Sequence, residues 1–83
     1  IKKGAQIIDV RTRGEYASGH VKGSVNIPLN ELSSSVNKIK KNVPIITCCA
    51  SGMRSASAKS TLSSLGFKEM YNGGGWMSLN GKV

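Results

Sequence analysis

The chain has 83 residues, 39% of them hydrophobic, and a net charge of +8 from twelve Lys and Arg against four Asp and Glu. This length predicts one domain over residues 1–83, small enough that apolar burial leaves a thin margin of stability. The composition is that of a globular protein, and no apolar run approaches the ~20 residues of a membrane span. The charge favours small anions or acidic proteins as partners. Nucleic acid is not expected, because the aromatic residues are not interleaved with a basic stripe.

The first predicted elements are a helix end and a buried strand. Residues 1–4 predict the end of a helix closed by glycine, and the apolar run at residues 6–10 predicts a short strand of the kind buried in parallel sheets. Asp9, near the end of this strand, is expected to accept backbone N–H bonds and shape the following turn rather than to act as a general base. We expect Arg11 and Glu15 to pair across that turn.

Three further elements precede the cysteines. One helical turn is predicted from residue 12 or 13 to residue 17, and a second strand over residues 25–27. Asn30 can cap a helix that runs to about residue 39, although its run of serines predicts a short or frayed helix. Pro44 confines the third strand to residues 45–48.

The part of the chain after the cysteines predicts a longer helix and a final strand. The helix is expected from about Arg54 to Leu65, with Ala58, Leu62 and Leu65 as its buried stripe. A fourth strand, a glycine turn and a last helical piece follow: residues 68–71, 72–75 and 76–79. This alternation predicts an α/β domain with right-handed crossovers. Ligands then bind outside the carboxyl ends of the strands, and the glycine turn should form a wall of that pocket.

The candidate site is the segment Cys49–Ser55, a tight loop between a buried strand and a helix. Its small residues let the backbone curl closely around a substrate, and its N–H groups and the first helical turn make a positive spot. A thiol at such a spot is expected to have a lowered pKa and to be nucleophilic near neutral pH. Arg54 adds a planar fork that suits oxyanions. Cys48 should point to the opposite face of the strand and be buried and inert.

This loop resembles that of the rhodanese family, the single-domain sulfurtransferases, which reads Cys, several small residues, Gly, x, Arg, Ser. Further motifs agree in order along nearly the whole chain: Asp9-Val10-Arg11, Glu15-Tyr16, Gly19-His20-Val21, Gly23-Ser24-Val25-Asn26-Ile27-Pro28 and Gly73-Gly74-Gly75-Trp76. The resemblance implies a three-layer α/β/α fold with a mainly parallel central sheet. The family usually has another strand and a full helix upstream, so we expect this chain to be short at its amino end and to lack that strand. The residue before the nucleophile, often aromatic in the family, is Cys48 here.

The resemblance implies a sulfurtransferase with Cys49 as the catalytic nucleophile. Cys49 would take the outer sulfur of a donor such as thiosulfate, carry it as a persulfide and pass it to a thiol or cyanide. The substrate-binding residues implied are those of the loop: Ala50, Ser51, Gly52, Met53, Arg54 and Ser55. His20, the single histidine of the chain, raises the question of a Cys–His dyad. The corresponding family histidine is not the base, so we favour a structural role.

Two other functions stay open. One is a non-catalytic interaction module that keeps the fold, for which loss of the cysteine would be the mark. The other is a cysteine phosphatase, a class that the resemblance links to the same architecture but with five residues between Cys and Arg, where this chain has four.

The expected partners are a small anionic sulfur donor and a thiol acceptor, either a small molecule or a protein. We expect a monomer with no cofactor, and no metal ion, because one histidine and two adjacent cysteines do not make a ligand set. Since the chain begins at Ile1, we expect a fragment or a processed form. Two adjacent cysteines leave the compartment open, with the cytoplasm slightly favoured and the periplasm open if a leader was removed.

Overall fold

A computed structural model describes residues 5–40, 43–50 and 52–81. In chain order the elements are β1 Gln6–Asp9, α1 Arg13–Ala17, β2 Val25–Asn26, two 3₁₀ segments at Leu29–Glu31 and Ser33–Lys38, β3 Ile45–Cys49, α2 Met53–Ser64, β4 Met70–Gly75 and α3 Trp76–Asn80. The helix end predicted over residues 1–4 lies outside the described residues. Within the described ranges, no helix has the length and apolar character needed to cross a bilayer.

The strands form one parallel sheet in the order β2-β1-β3-β4. All five residues of β3, the sequence Ile-Ile-Thr-Cys-Cys, are buried, as expected for a strand covered on both faces of a parallel sheet. Because the strands are parallel, their carboxyl ends meet at one edge. The predicted parallel sheet is confirmed, and β3 delivers Cys49 to that edge.

The sheet separates two apolar clusters, which fill its two faces. Alternate residues of β3 divide between them, with Ile45 and Cys49 in one cluster and Ile46 and Cys48 in the other. The first cluster is completed by residues of α2, the 3₁₀ segments and their flanks, among them Ala58, Leu62, Leu32 and Ile39. The second includes Val21 and Leu79, from the segment after α1 and from α3. The predicted three-layer α/β/α arrangement is therefore confirmed.

The buried stripe of α2 differs from the prediction at its end. Ala58 and Leu62 are fully buried, but Leu65 is 38% exposed. Leu65 is the C-cap and lies past the last helical turn, so the helical spacing no longer aims it at the sheet. Ser55 is buried in addition, because it lies three residues before Ala58 on the same face.

Residues 29–38 form two 3₁₀ segments instead of the helix predicted from Asn30. Asn30 lies inside the first segment, and Pro28 occupies the cap position without a side-chain cap bond, so the predicted Asn30 cap is wrong. In the second segment Ser35 breaks the helical geometry with φ −116° and ψ 18°. The serines favour such interruptions because their hydroxyls compete for backbone partners. The serine run interrupts the segment, as predicted, but the helix predicted here is wrong, because residues 29–38 are 3₁₀ rather than α-helical.

β4 extends to Gly75 and takes in the glycines for which a turn is predicted, so the predicted turn is wrong. Thr47 pairs with Asn72 and Cys49 with Gly75, which gives β4 one residue more than β3 over this interval and makes a bulge. Gly74 has φ +75°, a value that favours glycine. Gly73 has no room for a side chain, because a Cβ there would lie 2.8 Å from the carbonyl oxygen of Thr47. The bulge bends the end of β4 toward the loop that follows β3.

Candidate active site

Cys49 ends β3 and is fully buried. Its Sγ accepts a hydrogen bond from the backbone N–H of Gly52 at 2.9 Å and lies 3.7 Å from the hydroxyl of Ser55. Gly52 can aim its N–H backward at the sulfur because it has φ +102°, in the left-handed region that glycine tolerates. A backbone donor and a hydroxyl therefore converge on the sulfur at the amino end of α2.

Ser55 joins the first turn of α2 to the sheet. Its single hydroxyl proton is shared between two acceptors, the carbonyl oxygen of Gly52 at 3.0 Å and Oδ1 of Asn72. Its own carbonyl oxygen accepts a bond from the buried hydroxyl of Thr47 at 2.9 Å. Ser55 is thus held from β3 and from β4, and this fixes the distance between α2 and Cys49.

Arg54 forms a two-pronged ion pair with Glu15 of α1. The guanidinium donates to Oε1 at 2.7 Å and to Oε2 at 3.0 Å. The Arg54 hydrogen bonds, followed by the backbone N–H of Thr12, lower the pKa of Glu15 to about 2. Glu15 also closes a capping box with Thr12 at the start of α1. The expected pair of Arg11 with Glu15 is therefore wrong, since the Glu15 carboxylate binds the loop arginine instead.

Arg11 binds Asp9, two residues before it. Nη2 lies 2.8 Å from Oδ2 and Nε 3.0 Å from both carboxylate oxygens. The same guanidinium donates to the carbonyl oxygen of Gly19 at 2.6 Å and lies 4.8 Å from the centre of the Trp76 ring. Asp9 also accepts the backbone N–H of Arg11 at 3.0 Å, so its predicted role in shaping the turn is confirmed.

His20 interacts locally with Tyr16. Its Nδ1 lies 2.8 Å from the carbonyl oxygen of Tyr16, and the two rings stack with centroids 3.7 Å apart. His20 itself is exposed. These contacts agree with the structural role favoured for His20.

Cys48 lies on the opposite face of β3 from Cys49, as the strand alternation predicts. It is fully buried in the cluster that contains Val21 and Leu79. Burial, reinforced by the negative charge of Asp9, raises the pKa of Cys48 to about 12. The predicted burial of Cys48 is confirmed, and its inertness stays a prediction.

The residues of the loop differ in their surroundings. Ala50 is exposed, and Met53 is 79% exposed; Ser51 lies outside the described residues.

Beside the loop, at the carboxyl end of β1, an open depression of about 360 Å³ is lined by Val10, Thr12, Pro28, Leu29, Asn30 and Arg54. Val10 and Leu29 also pack in the cluster that contains Cys49. Through Arg54, the depression adjoins the loop that follows β3.

The sequence did not reveal that Glu15 and Asn72 contact the loop. The spacing Thr12-x-x-Glu15 is a capping-box signature that predicts a fixed carboxylate, but it does not identify Arg54 as the second partner. Asn72 has no sequence signal, because it approaches the loop only through the bulge in β4.

This geometry defines a class: α/β proteins with a cysteine at the carboxyl end of a central parallel strand and a backbone N–H of the following loop aimed at its sulfur. Comparison with known proteins specifies the class further. Residues 1–81 match the family described as rhodanese-like domain, and the chain belongs to that family.

Individual relatives agree with this assignment. The chain is 40% identical over 80 residues to the uncharacterized protein YqhL of Bacillus subtilis (strain 168), with 95% of this chain and 64% of YqhL covered. It is 37% identical over 70 residues to the thiosulfate sulfurtransferase PspE of Escherichia coli (strain K12), with 82% of this chain and 67% of PspE covered. The solved structure described as rhodanese with anions from E. coli superposes with a TM-score of 0.83 at 34% identity, over 89% of both chains. The chain thus spans slightly less than two thirds of the length of YqhL.

Proposed function

We propose that this chain is a sulfurtransferase that carries sulfane sulfur on Cys49 as a persulfide, with thiosulfate as a donor and a thiol or cyanide as the acceptor. The observation that carries the proposal is the Gly52 N–H bond to the Cys49 sulfur at 2.9 Å. A donor in this position stabilises negative charge on sulfur, which exists both in the thiolate and in the persulfide.

The reaction has two displacements. The Cys49 thiolate attacks the outer sulfur of thiosulfate, the S–S bond of thiosulfate breaks, and sulfite leaves with the electron pair. The acceptor thiolate or cyanide then attacks the terminal sulfur of the persulfide, and the Cys49 thiolate is released.

The six remaining loop residues are proposed to bind the donor with unequal roles: Ala50, Ser51, Gly52, Met53, Arg54 and Ser55. Gly52 and Ser55 contact the sulfur itself. Arg54 braces the loop through Glu15, and its position on the wall of the depression lets the N–H groups that Glu15 does not use meet an anionic donor.

Mass spectrometry of the intact protein after treatment with thiosulfate tests this proposal. We expect one added sulfur atom on the wild-type chain and none on the Cys49→Ala variant. Tandem fragmentation should place the sulfur on Cys49, with Cys48→Ala as the matched control that still takes up sulfur. An unmodified wild-type chain would contradict sulfur transfer and favour a non-catalytic module.

Hydrolysis of an aryl phosphate separates sulfur transfer from phosphatase activity. Four residues separate Cys49 from Arg54, so the ring of N–H groups is short, whereas a phosphoryl group must present three oxygens to donors. We expect no phosphate release that depends on Cys49. Release by the wild-type chain that disappears in Cys49→Ala would support the phosphatase instead.

A further inference from the structure

Asn72 lies in β4, at the bulge, and its side-chain amide connects three backbone and side-chain groups around the loop. Nδ2 donates to the carbonyl oxygen of Gly52 at 3.4 Å. Oδ1 accepts the backbone N–H of Gly74 at 2.9 Å and the hydroxyl of Ser55. Two of these three partners, Gly52 and Ser55, are residues that contact the Cys49 sulfur.

The chemistry of its partners fixes the orientation of the Asn72 amide. A backbone N–H can only donate, so the atom that faces Gly74 must be the oxygen. A carbonyl oxygen can only accept, so the atom that faces Gly52 must be the nitrogen. A flipped amide would place like groups together at both contacts. The amide is therefore held in one orientation.

The two connections constrain the parts of the loop that could otherwise move. Gly52 has φ +102°, and a glycine is free to leave this conformation at little cost. The bond from Nδ2 holds the Gly52 carbonyl, while the bond to Ser55 holds the first turn of α2. Gly74 anchors the amide to β4, whose position is set by its pairing with β3. The rigid sheet thus determines where the Gly52 N–H and the Ser55 hydroxyl stand relative to the sulfur.

From this geometry we infer that Asn72 is a positioning residue for the sulfur chemistry: it holds Gly52 and Ser55 in place around the Cys49 sulfur, although it does not touch the sulfur itself. That this positioning serves sulfur transfer rests on the proposed function. Without the amide, the Gly52 carbonyl keeps its bonds from the Ser55 hydroxyl and the Ala56 N–H. However, Gly52 and Ser55 both lose their bond to the β4 side chain, so the loop and the first turn of α2 can shift relative to the sulfur. The Cys49 thiolate then loses a hydrogen bond and forms less readily, so Cys49 reacts more slowly with an electrophile near neutral pH.

The Asn72→Ala substitution leaves the charged groups around the loop in place. Arg54 interacts electrostatically with Cys49, and it remains bound to Glu15 of α1. Across the strand, Asp9 and Arg11 pair with each other. Replacing Asn72 by alanine removes no charge, so a change in the pH dependence reports on the hydrogen bonds.

The test is the rate at which iodoacetamide alkylates Cys49 as a function of pH, measured in a Cys48→Ala background so that Cys49 is the single thiol. We expect Asn72→Ala to move the midpoint of the profile upward by about one pH unit, the size expected when a charged sulfur loses one hydrogen bond. The rate at a pH below both midpoints then falls about tenfold. Asn72→Asp keeps the acceptor for Gly74 but loses the donor to Gly52 and adds a negative charge, so it should move the midpoint further.

Asn37 supplies the matched controls, because it is an exposed asparagine in the second 3₁₀ segment. Asn37→Ala and Asn37→Asp should leave the midpoint unchanged. An unchanged midpoint in Asn72→Ala would overturn the inference, even if urea unfolding showed that this variant was less stable and even if the added charge of Asn72→Asp moved the midpoint. Thiosulfate loading of the parent protein is measured in parallel. Failure to load would count against the proposed function, while the alkylation profiles would still decide the role of Asn72.

Discussion

Two adjacent cysteines have contrasting environments because a strand directs successive side chains to opposite faces. Cys49 meets the N–H of Gly52 and the hydroxyl of Ser55. Cys48 meets apolar side chains such as Val21 and Leu79, and its burial raises its pKa to about 12. We therefore expect the two thiols not to act as a functional pair, although they are adjacent in the chain.

Replacing each cysteine by alanine should separate the two thiols. Cys49→Ala is expected to abolish thiosulfate:cyanide sulfurtransfer, because no persulfide can form. Cys48→Ala is expected to keep most of the activity, since it only removes a buried apolar group at the cost of a small cavity. Thiocyanate formation measures both. Equal loss of activity in the two variants would point to a mechanism that uses both thiols.

The Glu15 carboxylate predicts a dependence of stability on pH. Its folded-state pKa is lowered from its ordinary value of 4.5 to about 2 by Arg54 and Thr12. The ion pair therefore stabilises the folded state above pH 4.5, and this contribution is lost as the pH falls toward about 2. The unfolding free energy should differ between wild type and Glu15→Gln at neutral pH, and the difference should shrink across this range. Urea titrations at several pH values measure it; a difference independent of pH would contradict the assignment.

At the scale of elements, the bulge in β4 decides how the sheet meets the loop. The extra residue between the pairs Thr47–Asn72 and Cys49–Gly75 brings Asn72 and Gly74 toward Gly52. A Cβ on Gly52 would lie 3.5 Å from the Cα of Gly74, so the two backbones approach closely. Within the bulge, Gly73 is glycine for packing, because a Cβ there would lie 2.8 Å from the Thr47 carbonyl oxygen, whereas Gly74 is glycine for its φ of +75°.

A pair of glycine substitutions tests this packing. In Gly73→Ala the new Cβ would lie 2.8 Å from the Thr47 carbonyl oxygen and from a methyl group of Ile46, so we expect a loss of about 1–3 kcal/mol of unfolding free energy. Gly14→Ala is the control, because Gly14 lies in α1 with nothing within 4 Å of its Cβ position. There the change should stabilise by about 0.5–1 kcal/mol. Urea midpoints compare the two, and equal effects would argue against the bulge geometry.

At the scale of the whole molecule, the net charge of +8 makes a field that attracts anions. Many of the cations lie outside the loop, so the field acts at long range and should increase the encounter rate with thiosulfate. Salt screens such a field, with a Debye length of about 10 Å at 0.1 M ionic strength.

The kcat/KM for thiosulfate should therefore fall several-fold between about 10 mM and 150 mM salt, over which the Debye length shortens from roughly 30 Å to 8 Å. Alkylation of Cys49 by iodoacetamide, a neutral reagent, is the matched reaction and should be nearly insensitive to salt. The two rates are measured on the same protein. A thiosulfate reaction with no dependence on salt would contradict steering by net charge.

The sequence by itself determined the features that depend on local patterns. The apolar run of β3 predicts a buried parallel strand, the alternation along it predicts the opposite faces of Cys48 and Cys49, and the small residues after Cys49 predict a tight loop before a helix. Each of these follows from side chains within a few positions of one another. The parallel sheet and the place of the loop at its carboxyl edge could therefore be predicted before the structure.

Only the tertiary structure decided the contacts that brace the loop. Glu15 and Arg54 are 39 residues apart, and Asn72 lies 20 residues from Gly52. Local pairing of Arg11 with Glu15 was the reasonable prediction, but Asp9 is nearer to Arg11 and is fully buried with it. The exposure of Leu65 and the bulge at Gly73 and Gly74 likewise depend on where a helix ends and how two strands pair. Such contacts arise from the register between distant segments, and no periodicity within one segment encodes that register.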